Sequence, residues 1–399
     1  MQSAEFPCTN YVQRSIFPTA PLALSPSEIS VTASSGGRTF RNITKEVPIS
    51  LSRSVFLIAK VIFLAVITLG FALLSSALRE DWKTAFKGYE TTFERVCVNG
   101  IPQYEVQENN YENPGENESP YAFRQKIFWQ TKEAYERGYI LEGKVVEIDS
   151  QPMLDQTEVY GEMDPLLPKA SILATRFSVE NDDTFNVLVK LKKAGSNPAG
   201  INMANAYIRG GGVEEGCPAQ EEALARRSNY MAITRHPQAG KAKIAEGGIY
   251  SPHVQVFRED ETKGYAFMKE PVDIALIAVA AFDLRRSSHD RVKLRLSAQV
   301  VYTDKHLVKH QAFVDQTKQR IRNMLRKLFE KGHKDLVLGA LGCGAFQNPP
   351  KLISALFEEV FNEREFKGRF ETVTFAILQQ RQSDAANVAA FREMCERLN

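Results

Sequence analysis

Gly210-Gly211-Gly212, followed seven residues later by Gln220-Glu221-Glu222, constrains this chain more than any other feature, because it sets a side-chain-free loop ahead of a carboxylate pair. Three consecutive glycines let backbone N–H groups approach a ligand closely and form a nest of donors suited to an anion such as a diphosphate. Ala223, Leu224, Ala225, Arg226 and Arg227 continue from the glutamates as a helix. Glu221 and Glu222 therefore fall in its first turn, where the dipole favours acids whatever else they do. The fragment alone supports two readings: a glycine turn into an acid-started helix, or an anion clamp beside an acid/base group.

The neighbouring segments add a scaffold. Residues 200 to 207 read Gly-Ile-Asn-Met-Ala-Asn-Ala-Tyr. This apolar run fits a buried strand that delivers Asn205 to its carboxyl end, the end at which open α/β sheets take ligands. A second apolar run, Leu336 to Leu341, enters Gly342-Cys343-Gly344-Ala345-Phe346-Gln347-Asn348-Pro349-Pro350 ahead of a helix-like segment from about Lys351. Two strand-loop-helix units thus offer two anion or nucleotide clamps. Phe346 is suited to cover a ribose or a ring.

Further strands are expected at 172–179, 272–281 and 372–378, and helices at 121–139, 219–229, 316–331, 350–363 and 384–397. Glu180-Asn181-Asp182-Asp183 caps a helix carrying Phe185, Leu188 and Leu191. The alternation of these elements predicts an α/β fold, a three-layer α/β/α sandwich around a mixed sheet.

Four segments together resemble the microbial-type poly(ADP-ribose) glycohydrolases of the macrodomain superfamily: 200–228, 249–260, 272–285 and 335–350. The family pattern is GGG, six to eight residues, then QEE, and this chain has seven between them. The likeness covers roughly residues 120–399. It implies cleavage of the ribose-ribose O-glycosidic bond of poly(ADP-ribose), with Glu222 as general acid/base. A glycosidic leaving oxygen needs a proton, and the oxocarbenium-like centre left behind needs nearby negative charge. The resemblance assigns Glu221 and Asn205 to ribose hydroxyls. It places Gln220, Gly210, Gly211, Gly212, Gly342, Cys343, Gly344, Ala345 and Phe346 around the substrate, whose own diphosphate stabilises the cation. It implies neither metal nor cofactor.

On a helix, adjacent glutamates point about 100° apart, so Glu221 and Glu222 are not expected to form a facing dyad. For Glu222 to donate near neutrality, burial or the substrate's charge must raise its pKa. Arg209 departs from the family pattern, where proline is common. Its guanidinium either pairs with the diphosphate or lies in solvent, the latter being favoured. Adenine is expected near the Asp182-Asp183 cap.

Two alternatives remain. Related hydrolases remove single ADP-ribose units from protein side chains, some of them as effectors of intracellular bacteria acting on ADP-ribosylated ubiquitin, and Asp283 or Asp315 would then be candidate acids. A binding module that recognises ADP-ribose without cleaving it is the other, and the intact QEE argues against it.

Composition fits one catalytic domain with an N-terminal extension: 399 residues, 43% hydrophobic. A net charge of +2 gives no global basic field, so nucleic-acid binding is not indicated. The five cysteines, Cys8, Cys97, Cys217, Cys343 and Cys395, are scattered, which suits a reducing compartment. Small-residue packing is favoured over nucleophilic chemistry for Cys217 and Cys343. His306 and His310 are spaced to share a helix face without completing a metal motif, and His253 falls where it would edge the pocket.

Val55 to Leu78 spans 24 residues with Lys60 the only charge. A helix rising ~1.5 Å per residue could cross a ~30 Å hydrocarbon core with it. The expected organisation is therefore a flexible Ser/Thr/Pro-rich tail at 1–50, an apolar membrane-associated helix at 51–80 and a linker at 81–120. The catalytic domain at 121–399 is expected on the cytosolic side, or in a host cell if the protein is an effector.

Overall fold

The computed structural model describes residues 118–167, 174–286, 288–297 and 302–399. It also gives the backbone of 40–48, 89–97 and 104–105. The chain divides into two compact units, Met1–Glu105 and Val106–Asn399. In the first, strand β1 (Phe40–Pro48) pairs antiparallel with β2 (Tyr89–Cys97), Phe40 opposite Cys97, and β3 is Tyr104–Glu105. Strand β1 falls within the stretch expected as the Ser/Thr/Pro-rich tail, and β2 and β3 within the expected linker. The apolar stretch 55–78 lies outside the described residues. No described helix is long and apolar enough to cross a membrane.

The second unit is a mixed α/β fold. A short hairpin of β4 (Tyr139–Leu141) and β5 (Lys144–Val146) follows the first helix. The main sheet contains β6 (Glu158–Tyr160), β7 (Arg176–Glu180), β8 (Ala199–Met203), β9 (Gly248–Arg258), β10 (Phe267–Val279), β11 (Asp335–Leu338) and β12 (Thr372–Ala376), in the order β6-β9-β10-β8-β11-β12-β7. From β10 to β7 every neighbouring pair is parallel, while β9 runs antiparallel to both β10 and β6. The parallel strands are buried apolar runs, as coverage on both faces requires: Ile201, Ile277, Leu336, Leu338, Val373 and Phe375 are all closed to solvent.

The helices are α1 (Pro120–Arg137), α2 (Gln151–Gln156), α3 (Thr184–Lys193), α4 (Gln220–Arg227), α5 (His289–Lys293), α6 (Asp304–Leu307), α7 (Gln311–Glu330), α8 (Pro350–Phe361) and α9 (Ala385–Leu398). Their starts follow local chemistry. Ser119 caps α1 through Ala122 N, and Asp183 caps α3 by accepting from Phe185 N and Asn186 N. Phe357 of α8 meets Phe375 of β12 and Phe391 of α9 edge-on, at 5.4 and 6.0 Å between ring centres, which locks these elements together.

Parallel strands carry their carboxyl ends to one edge of the sheet. The loops after β8, β10 and β11, and the Asp182-Asp183 cap after β7, therefore open side by side at that edge. This is where sheets of this kind bind ligands.

Candidate active site

Strand β8 ends at Met203, and the chain then arcs over the start of α4. The Asn205 N–H donates to Glu221 Oε2 at 2.7 Å, and the Gly210 N–H donates to Glu221 Oε1 at 3.1 Å. The Gly212 N–H donates to Glu222 Oε1 at 2.8 Å. Both carboxyls are buried, Glu221 to 3% and Glu222 to 8% exposure. The glycine loop thus turns donors toward the protein's own acids, and main-chain amides hold the pair.

The two glutamates are expected to point apart on the helix, and their carboxyls are bound to different amides, Asn205 and Gly210 for Glu221 and Gly212 for Glu222, but both lie against one glycine. A Cβ on Gly211 would overlap Glu222 Oε1 and lie 3.2 Å from Glu221 Oε2, so both carboxyls converge on the same glycine. Their Cα–Cβ bonds do point apart on the helix, but three further torsions per side chain bring the ends back together.

Gln220 is engaged by the scaffold. Its Oε1 accepts from Met203 N at 2.9 Å and its Nε2 donates to Ile201 O at 2.8 Å, so the amide continues the pairing where β8 runs out. Asn205 Oδ1 accepts from Tyr207 N and Ile208 N at 2.9 and 3.0 Å, which closes the turn and leaves Nδ2 as the donor for a hydroxyl.

Arg209 is not in solvent, contrary to expectation. It is 8% exposed, and its Nη2 donates to Asn205 O at 3.1 Å and Ala242 O at 3.3 Å. One guanidinium nitrogen thus bridges the turn and the 242 segment, while Nη1 is buried with no hydrogen-bond partner among the described residues.

Arg226 and Arg227, read in the sequence only as helix continuation, are nearly inaccessible and hold α4 in place. Arg226 Nη1 donates to Cys217 O at 2.8 Å and its Nε to the Tyr265 hydroxyl at 3.0 Å. Arg227 donates to Arg258 O at 3.1 Å and Asn186 Oδ1 at 2.8 Å, and pairs with Asp183. A buried arginine at a helix end has no hydropathy signal. Its only trace in the sequence is two cations directly after two acids.

The second loop is pinned by Asn348, whose Nδ2 donates to Phe282 O at 2.7 Å and Gly342 O at 3.1 Å. Gly342 sits at φ +74, and a Cβ there would strike Ala281 Cβ and Asn348 Nδ2. Gly344 and Ala345 are exposed, while Cys343 and Phe346 are half-buried. Burial raises the Cys343 thiol far above its usual range, which suits packing over nucleophilic chemistry. Phe346 O accepts from Leu284 N at 2.9 Å, and the Arg285 guanidinium lies 5.3 Å from the Phe346 ring. Arg285 is itself held by a forked pair to Asp283, so that aspartate is engaged rather than available as an acid. Asp315 is bound to Gln311 on the surface of α7. Cys217, Cys343 and Cys395 form no disulfide.

The three histidines singled out in the sequence, His253, His306 and His310, take other roles. His306 is in α6, whereas His310 caps α7 by accepting from Phe313 N, so the two do not share a helix. The turn between them follows from a new cap four residues on. His253 pairs with Asp273 at 3.3 Å across the β9–β10 ladder.

Burial shifts both acids upward. Glu221 is pushed up to about 8, first by desolvation and then by the neighbouring Glu222, against the Asn205 N–H and Arg209. Glu222 is raised by desolvation, opposed by the Gly212 N–H, Arg226 and Arg285. A carboxyl raised from 4.5 to about 8 holds its proton in the folded state across that window and loses it in the unfolded state. Its contribution to stability is full below the unfolded value and is lost as pH climbs through the folded one. Replacing Glu221 by Gln should therefore flatten the wild-type decline in stability between pH 5 and 8, a decline of up to about 1.4 kcal/mol per pH unit from this group. Denaturant midpoints of both proteins across that range check it; identical slopes would contradict the shift.

Residues 129–259 match the sequence model of the family described as microbial-type PARG, catalytic domain. Among solved structures, the chain is similar to a poly(ADP-ribose) glycohydrolase from Thermomonospora curvata, at 28% identity over 68% of this chain and 98% of that one, with a TM-score of 0.54. The same enzyme bound to the inhibitor ADP-HPD aligns with identical figures. Poly(ADP-ribose) glycohydrolase from Deinococcus radiodurans in complex with ADP-ribose aligns at 26% identity, over 62% of this chain and 97% of that one, with a TM-score of 0.51. A search of curated proteins gives no match. The family resemblance read from the sequence therefore stands, and this stretch, holding the glycine loop, α4 and β9, carries it.

Proposed function

We propose that this chain, whose residues 129–259 match the microbial-type poly(ADP-ribose) glycohydrolase catalytic domain, hydrolyses the ribose-ribose glycosidic bonds of poly(ADP-ribose) with Glu222 as the acid. The observation that carries the assignment is the Glu222 carboxyl itself: buried, raised in pKa, and gripped through one oxygen by the N–H of Gly212, the last residue of the glycine run. Because Oε1 already accepts the Gly212 N–H, the proton of the neutral form resides on Oε2. That oxygen protonates the departing ribose oxygen, and the resulting carboxylate then takes a proton from the incoming water. Glu221 and Asn205 hold ribose hydroxyls. The loop from Gly342 to Phe346 lies beside the diphosphate, with Phe346 covering the substrate.

The domain reads as a macrodomain-like sandwich, helices on both faces of the mixed sheet. Adenine belongs near Asp182 and Asp183, which stand at the same sheet edge. Likeness to enzymes solved with ADP-ribose and with ADP-HPD supports an ADP-ribose ligand here.

The test offers the full chain automodified polymer and mono-ADP-ribosylated protein side by side. Release of ADP-ribose from polymer is expected. Release only from the mono-modified protein would move the assignment to side-chain de-ADP-ribosylation, and binding without turnover on either would make the chain a reader.

A further inference from the structure

Tyr207 exposes 46% of its surface. It sits at the crest of the 205–210 arc, both ends of which donate to the Glu221 carboxyl. Its own N–H is tied to Asn205 Oδ1 at 2.9 Å, so the backbone carrying this ring is fixed against the site. His289 meets the ring edge-on, with centroids 6.2 Å apart and planes at 88°. An edge-on neighbour braces an aromatic without covering both its faces.

His289 belongs to the segment that leaves the end of β10 and skirts the cleft. There Arg285 lies over Phe346 and Arg286 is exposed. The acids of the described part of this segment, residues 283–286 and 288–297, are withdrawn: Asp283 chelates Arg285, and Asp290 is buried with its Oδ2 accepting from Asp283 N. An open ring face on a fixed backbone is what base stacking requires.

We propose that Tyr207, braced by His289, forms a subsite for the nucleotide on the leaving side of the scissile bond, stacking its adenine. This rests on the glycohydrolase reading, because only a polymeric leaving group carries a base to stack. The site proper takes the unit whose anomeric carbon faces Glu222. The rest of the polymer passes over the wall that the arc forms, and Tyr207 is the aromatic side chain at its crest.

Binding in a Glu222→Gln background isolates the subsite from turnover. A purified ADP-ribose dimer should bind that protein about tenfold more tightly than ADP-ribose does, the scale of one base stacked on an aromatic ring. Adding Tyr207→Ala should erase the advantage while leaving ADP-ribose affinity within about twofold, and Tyr207→Phe should retain it. Equal affinities for dimer and monomer before the tyrosine is changed, or an advantage that survives Tyr207→Ala, overturns the subsite. So does loss of ADP-ribose binding itself in Tyr207→Ala, which would give the ring a purely structural role in the arc. Failure of the underlying reading shows separately, as wild-type protein that releases no ADP-ribose from polymer.

Discussion

Replacing Glu222 with Gln should lower turnover of poly(ADP-ribose) by about a thousandfold, within the range that a positioned general acid supplies, while ADP-ribose affinity stays within a few-fold of wild type. The amide keeps the oxygen that accepts the Gly212 N–H, so the loop retains its anchor. What it lacks is a transferable proton. Comparing kcat on polymer with calorimetric binding of ADP-ribose separates the two. Turnover that persists within tenfold of wild type would remove Glu222 from the acid role. Glu221→Gln should behave differently, since Glu221 ties the arc at both Asn205 and Gly210. An amide there can accept at only one of its two positions, so binding and turnover should fall together.

Gly211→Ala is expected to cost at least a hundredfold in turnover with a much smaller loss of stability. The position lies at φ +55, where a Cβ costs roughly 1–2 kcal/mol. Its Cβ would overlap Glu222 Oε1 and come within 3.1 Å of Glu222 Cδ. The carboxyl is the end of a flexible side chain and can swing away, which spares the fold. Swinging away breaks its bond to Gly212 N and takes the proton donor off the cleft, and a misplacement of about 1 Å is enough to cost a hundredfold. Thermal melts beside steady-state rates check this. A variant that melts far below wild type yet keeps its specific activity would reverse the assignment.

The scaffold and the site are legible in the sequence to different degrees. Strands β8, β10, β11 and β12 are readable because parallel strands covered on both faces must be nearly all apolar. Helix α3 is readable because Asp183 marks its start, and α1 because Phe123, Ile127, Phe128 and Ala134, all buried, recur on one side. Strands β4, β5 and β6, three residues each, have no period to detect and exist only because a partner strand is present. The His306–His310 spacing misleads, since a cap interrupts the helix that spacing alone would continue.

The site shows the same division. Its glycines, glutamates and asparagine are visible as residue types at a spacing. Their geometry is not: the convergence of Glu221 and Glu222 depends on side-chain torsions, and the inward turn of Arg209 depends on carbonyls contributed by Asn205 and by Ala242, 33 positions later. Arg226, Arg227 and Arg258 are charged yet almost fully enclosed, the reverse of what composition suggests for arginine. Gln220 hides its work in a different way. A residue type common on surfaces stands in for a peptide group at the end of a strand.

The three N–H groups that hold the acids, those of Asn205, Gly210 and Gly212, belong to the main chain. Every amino acid except proline supplies such a donor, so their presence is indifferent to most replacements along the arc. What must be preserved is the path of the chain, set by the glycines and by the sheet beneath. The side chains along the arc can therefore differ while the acids keep the same three bonds. Exchanging a side chain such as that of Tyr207 removes none of these three donors.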